Sequence, residues 1–284
     1  MNLLIKQATI VDSASPHNGK VVDILIEKGI ITQIKKTITP EKGIKTIEAD
    51  DLHVSAGWLD MQANFCDPGY EHKETLSNGL KSAAKGGFTS VCLMSGTNPP
   101  LHNKAQIEYV TNRAKNNLVN VLPVGTLSHN QEGKDLSEMY DMKISGAVAF
   151  SDYKKTAKDA GLILRALQYS QNINSFIITH CDDKTISHDG LVNEGVTSTK
   201  LGLKGIPALA EEIMLQRNIQ ILEYTGGKMH VPTISTKGSV ELIKKAKAKK
   251  LNITCGVAAY NLLLDDSELE GFDTNYKVNP PLRT

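Results

Sequence analysis

The chain is poor in the features that announce special environments. It has four cysteines, Cys66, Cys92, Cys181 and Cys255, widely spaced and with no CxxC pair. That excludes a disulfide framework and a zinc knuckle and fits reduced thiols, with Cys92 and Cys255 expected as small buried hydrophobes. No charge of one sign dominates. Lys plus Arg number 32 against 31 Asp plus Glu, a net +1, which argues against a nucleic-acid footprint or an acidic membrane partner. No run approaches the ~18 apolar residues of a membrane span. The opening MNLLIKQATIVDSAS carries too short an apolar run, and no cleavage pattern, for a secretory signal. Glycine-rich phosphate loops are missing too, because Gly86-Gly87 closes a helical run instead of opening one.

What is present is an ordinary globular balance, 40% hydrophobic and 22% charged over 284 residues, enough for a large domain with a small one. The first fifty residues read as short strands: Leu3–Ile5, Ala8–Val11, Val22–Ile26 and Ile30–Ile34, with Glu27-Lys28-Gly29 as a hairpin turn. After Val54, strand-like runs alternate with helical ones. The strands are expected at Ala56–Met61, Phe88–Met94, Asn120–Thr126, Gly146–Phe150, Phe176–Thr179, Met229–Ile234 and Ile253–Ala258. Helices are expected at Thr75–Lys85, Asp159–Ser170, Pro207–Thr225 and Ser239–Lys250, the first and third stopped by Gly-Gly pairs. Such alternation implies a parallel sheet with right-handed crossovers, whose closed form is the eight-stranded (β/α) barrel. Seven strands can be counted. An open barrel leaves two unpaired edges. A further C-terminal part beyond this chain, containing strand 8, or a closing strand from a partner chain, is therefore expected. The reading divides the chain into a small β-sandwich subdomain, 1–53, and the barrel, 54–284.

Several segments resemble the dihydroorotase family of the amidohydrolase superfamily. They are Ala56–Asp60, Asp67–Thr75 (DPGYEHKET), Ala83–Val91, Asp141–Phe150, Asp159–Ser170, Asn193-Glu194-Gly195, Gly205–Ala208, Ala210-Glu211-Glu212 and the closing NPPLR. The resemblance implies a TIM-type barrel with a small β-sandwich subdomain. It also implies a family reaction in which one or two divalent metals, usually zinc, serve reversible hydrolysis of cyclic dihydroorotate to carbamoyl-aspartate in pyrimidine biosynthesis. The metal is needed because bulk water is too weak an acid to supply hydroxide at neutral pH.

Against that pattern the ligand positions are degenerate. The family's His-x-His after strand 1 is matched by Gln62-Ala63-Asn64, and amide oxygens are poor zinc ligands beside imidazole. Its carboxylate-binding Arg is matched by Cys66, and its substrate-contacting Asn by Gly96. Asp-Asp-Gly after strand 4 becomes Asp152-Tyr153-Lys154. His180 is kept, while Thr233 replaces the ligand after strand 6 and Ala259-Tyr260-Asn261 replaces Pro-His-His after strand 7. The expectation is a catalytically inactive homologue with a structural or regulatory role and no cofactor. The alternative is an active amidohydrolase with one zinc on His180 and Asp152. Expected partners are a second copy of the chain, aspartate carbamoyltransferase or an active dihydroorotase, in the cytoplasm, with no nucleic acid or membrane. His230 reads as a packing residue and Asp67 as a turn former. His53, His72, His102, His129 and His188 are read as solvated loop residues, and the lysines of 244–250 as a solvated helix face.

Overall fold

The computed structural model describes residues 2–40 and 42–284. Contacts divide the chain into two units, Met1–Trp58 and Leu59–Thr284.

The first unit is built on one five-stranded sheet: β1 (Leu3–Ile10), β2 (Val21–Glu27), β3 (Ile30–Lys35), β4 (Lys45–Ile47) and β5 (His53–Val54). β1 pairs antiparallel with β2 and parallel with β4 and β5. Glu27 faces Ile30 across a two-residue turn in which Lys28 and Gly29 both have positive φ, 51° and 83°. That geometry matches the strands' right-handed twist, and glycine adopts it freely. The two strands expected at 3–5 and 8–11 are one strand with a register shift. Gln7 (φ 50°) turns its N–H onto Asp23 Oδ1 at 2.9 Å, a local irregularity that alternation alone does not reveal. His53 also departs from expectation, because it lies in β5 opposite Thr9.

The second unit alternates strand and helix: β6 (Trp58–Ala63), α1 (Leu76–Lys85), β7 (Phe88–Leu93), α2 (Lys104–Ala114), β8 (Asn120–Gly125), α3 (Met139–Ile144), β9 (Ala149–Phe150), α4 (Ala160–Asn172), β10 (Ile177–Ile178), α5 (Lys184–Ser187), β11 (Val192–Asn193), α6 (Val196–Leu201), β12 (Gly205–Ile206), α7 (Ala208–Thr225), β13 (Met229–Val231), α8 (Lys237–Ala248) and β14 (Ile253–Cys255). The sheet order is β14-β13-β10-β9-β8-β7-β6, the seven strands anticipated, and β11 and β12 form a separate parallel pair. From β7 to β14 neighbouring strands run parallel. Helices α2, α3, α5 and α6 and the β11–β12 pair escaped the sequence reading; α3, α5 and α6 span only 6, 4 and 6 residues, and α2 buries only Ile107 and Val110.

Caps explain the helix boundaries. Thr75, Asp159 and Thr236 accept backbone N–H groups at the starts of α1, α4 and α8. Gly226 ends α7 in the left-handed region at φ 70°. Alternation along the strands sorts the core into two faces. Val91, Leu93, Phe150 and Ile177 pack in the large cluster beneath the helices. Cys92, Met94, Ala149 and Ile178, one residue away in each case, form a separate inner cluster with Val124. Tyr153 packs on that inner cluster at the end of β9. Ile243 and Ala246 of α8 face inward while its lysines are exposed, as expected for a solvated face.

Candidate active-site mouth

In a parallel α/β sheet, the loops after the carboxyl ends of the strands collect functional residues. Two of the substituted positions meet there. Gln62 at the end of β6 and Thr233 after β13 are joined by a hydrogen bond, Thr233 Oγ1 donating to Gln62 Oε1 at 2.7 Å. The oxygen that Gln62 could have offered a metal is thus spent inside the protein. Asn64 is turned back on its own loop, its Oδ1 accepting the Cys66 N–H at 3.0 Å. Cys66 itself has φ 60°, a left-handed bend rather than a place for a long anchoring side chain.

Asp152 is buried, and both of its carboxylate oxygens accept hydrogen bonds. Oδ1 accepts the N–H groups of Leu127 and Ser128, each at 2.9 Å, and Oδ2 accepts the Ser128 hydroxyl at 2.5 Å. Burial raises its pKa, against the lowering effect of the Ser128 and Leu127 hydrogen bonds and of Lys155. Its role here is to hold the loop after β8. His180 is also buried, and its Nε2 has no hydrogen-bond partner. Desolvation drives its pKa down to about 4; Asp182 pulls upward, and Lys184 and Lys154 push further down. It is a neutral imidazole at neutral pH. His230 resembles it: Nδ1 contacts Thr254 Oγ1 at 2.8 Å, while Nε2 is buried and unpartnered, and burial lowers its pKa.

Gly96 and Tyr153 form the second pair of coupled substitutions. A Cβ added to Gly96 would stand 2.3 Å from Tyr153 Cδ1, so the ring occupies the space any side chain at 96 would need. Ser95 Oγ donates to the Ser151 carbonyl at 2.5 Å, and Gln131 Nε2 donates to the Ser95 carbonyl at 3.0 Å, drawing the ends of β7 and β9 together. Tyr153 and Lys154 then separate two cavities and line both. The larger, about 580 Å³, is bounded by Gln62, His230, Thr233 and Tyr260. The smaller, about 410 Å³, is bounded by Tyr70, Gly96, Asn98, Asn130, Asp152 and Lys155. His180 and Asp152 meet only at a third, narrow cavity of about 10 Å³, below the room a water needs.

Of the expected ligand positions, Gln62 and Thr233 bond each other, Asn64 bonds its own loop, Asp152 bonds the loop after β8, and His180 Nε2 has no partner among the described residues. Among the described residues no group of three His, Cys, Asp or Glu stands close enough to hold a metal ion. A zinc centre requires about four nitrogen, sulfur or carboxylate donors, and this donor set does not fit one. Both Asp152 oxygens accept protein hydrogen bonds, while His180 Nε2 has no hydrogen-bond partner among the described residues.

Other assignments change in degree. Asp67 is more than a turn former, because it accepts the Leu76 N–H at 3.0 Å and the Tyr109 hydroxyl at 2.9 Å while buried. His102 and His129 pack edge to face with centroids 5.1 Å apart instead of standing free in solvent, although His129 remains exposed. Cys255 is half-buried, not fully buried. The role of Tyr153 and Lys154 was missed. Their signal was present as Asp-Tyr-Lys, but it reads as a lost carboxylate unless the space over Gly96 is known. Glu211 was also seen only as a motif; it anchors the loop after β13 through the Ser235 N–H at 2.9 Å and hydroxyl at 2.5 Å.

Comparison with known proteins places this geometry. A family described as Dihydro-orotase-like matches residues 53–239. The dihydroorotase of Trichlorobacter lovleyi is 42% identical over 286 residues, covering 100% of this chain and 67% of the relative. That of a Thermoanaerobacter species is 44% identical over 285 residues, covering 100% of this chain and 65% of the relative. Among solved structures, the L-hydantoinase (dihydropyrimidinase) of Arthrobacter aurescens superposes with a TM-score of 0.85 at 21% identity, covering 99% of this chain and 64% of that one. A D-hydantoinase superposes with a TM-score of 0.77 at 22% identity, covering 100% and 64%. These structural likenesses establish the amidohydrolase α/β barrel fold. The chain spans about two thirds of the length of the curated relatives it matches. The family match over residues 53–239 and sequence identity at that level across the chain make it a member of the dihydroorotase family of amidohydrolases.

Proposed function

We propose that this protein is a dihydroorotase-like member of the pyrimidine-biosynthetic branch that has given up hydrolysis and serves a structural or regulatory role. The observation that carries this reading is the Thr233–Gln62 hydrogen bond, 2.7 Å, between two positions where the family places imidazoles. Without a cluster of donors there is no centre to lower the pKa of a bound water or polarise a cyclic amide. The family's zinc and hydrolase character belong to the relatives. For this chain the donor set speaks against a resident metal. Its partners would be a second copy, an active dihydroorotase or aspartate carbamoyltransferase, and its location the cytoplasm. No helix among the described residues is long and apolar enough to cross a membrane.

The test is metal analysis of purified protein together with turnover of carbamoyl-aspartate and dihydroorotate. No stoichiometric zinc and no turnover are expected. Stoichiometric zinc with cyclisation of carbamoyl-aspartate would defeat the reading. It would favour the second one, an altered one-metal amidohydrolase, whose single structural support is the unpartnered Nε2 of His180. His180→Ala separates the two, since it abolishes activity only in the second.

A further inference from the structure

The smaller chamber of the mouth is cationic. The charged side chains that line it are Lys154, Lys155 and Asp152, and the Asp152 oxygens are already consumed by Leu127 and Ser128. Neither lysine ammonium makes an ion pair or hydrogen bond among the described residues; Lys154 lies 5.7 Å from the Tyr153 ring centroid. Both charges act inward, Lys154 on His180 and Lys155 on Asp152. A third ammonium, Lys73, lies 5.2 Å from the ring centroid of Tyr70, which forms another wall. Neutral donors are available as well. Asn98, Asn130 and Tyr70 line the chamber, and none of their side chains makes a hydrogen bond within the protein among the described residues. Thr97 and Gln131 are committed elsewhere, to the Pro99 carbonyl and to Ser95. Like charges gathered on a concave wall repel a divalent cation and concentrate anions.

We propose that the cavity walled by Tyr70, Asn98, Asn130, Tyr153, Lys154 and Lys155 is a metal-independent binding site for a small oxyanion, a carboxylate or a phosphate. The two ammonium groups supply point charges, the amides and the phenol supply directed N–H and O–H donors, and the tyrosine faces offer room for a flat body behind the anion. Position 154 and its neighbour create this site in the turn that also removes the second carboxylate, so the loss of metal donors and the gain of cationic charge occur in one segment. The inference rests on the reading that the mouth holds no catalytic metal.

The experiment is isothermal titration of the full chain, pretreated with chelator and held at constant ionic strength, with inorganic phosphate and with phthalate as probes. Saturable binding of at least one probe is expected. Lys154→Ala/Lys155→Ala should weaken it about tenfold or more, while Lys154→Arg should keep it within about threefold. Thermal melting of each variant confirms folding, which these exposed positions should not disturb. Preference for phosphate or for phthalate distinguishes the two anion sources. No saturable heat with either probe, an unchanged affinity in the double variant, or binding that appears only when zinc is added would each overturn the proposal. A zinc-loaded, active protein would instead overturn the reading beneath it, and the metal assay detects that independently.

Discussion

Thr233 and Gln62, 171 positions apart in sequence, close on each other by a hydrogen bond of 2.7 Å at the ends of β13 and β6. The bond spans the two sides of the larger cavity, so it links segments that the strands alone would leave apart. It also ties the Gln62 side-chain oxygen to the Thr233 hydroxyl.

The pair should therefore be energetically coupled. Thr233→Val and Gln62→Leu are each expected to cost about 1 kcal/mol, and the double variant less than the sum, with a coupling of about 0.5–1.5 kcal/mol. Urea denaturation of the four-protein cycle measures this. Strict additivity would show that the contact contributes nothing.

Gly96 and Tyr153 make a steric counterpart. Gly96→Ala puts a methyl 2.3 Å from Tyr153 Cδ1 and should destabilise by about 1–3 kcal/mol in the native background. In a Tyr153→Ala background the same change should be nearly neutral, because the ring it meets is gone. Equal costs in both backgrounds, read from denaturation midpoints, would contradict the packing.

His180 makes stability depend on acid. Unfolded, its imidazole takes a proton near pH 6.5; folded and desolvated, only near pH 4. Below pH 6.5 the unfolded chain therefore binds a proton that the folded one refuses. Its contribution is intact above 6.5 and is lost as pH falls toward 4, by up to about 3 kcal/mol. Denaturation in metal-free buffer between pH 7 and 4 should show this slope, flattened in His180→Asn. An equal slope in the variant would remove His180 as the cause.

Thiol chemistry should follow burial. Cys92 is buried with its pKa raised to about 11, by desolvation first and then by Asp60, and Cys181 is raised to about 12 by burial. Cys66 and Cys255 are half-buried. Brief alkylation of the native protein with peptide mapping should therefore mark Cys66 and Cys255 and spare Cys92 and Cys181 until denaturant is added. Early modification of Cys92 would mean that the inner cluster beneath Tyr153 is open.

Much of the architecture is local and could be read before any coordinates. The seven strands after Val54 and the helices capped by Thr75, Asp159 and Gly226 follow from apolar runs, side-chain caps and glycine, all decided within a few residues. Reading failed where a neighbour distant in sequence decides. Gln7 leaves the β1 ladder because Asp23 accepts its N–H, and Asp67 is buried because Leu76 and Tyr109 reach it.

The mouth shows the same division. The resemblance to the dihydroorotase family, carried by residue identities in a strand-end pattern, implies from the sequence that Gln62, Asn64 and Thr233 stand at positions the family gives to imidazoles. Only the tertiary structure shows what these residues do instead: Thr233 donates to Gln62, Asn64 caps Cys66, Tyr153 fills the space over Gly96 and Lys154 borders both chambers. Hydrogen bonds and excluded volume act over a few ångströms in space, and only the folded chain brings positions such as 62 and 233 within that range.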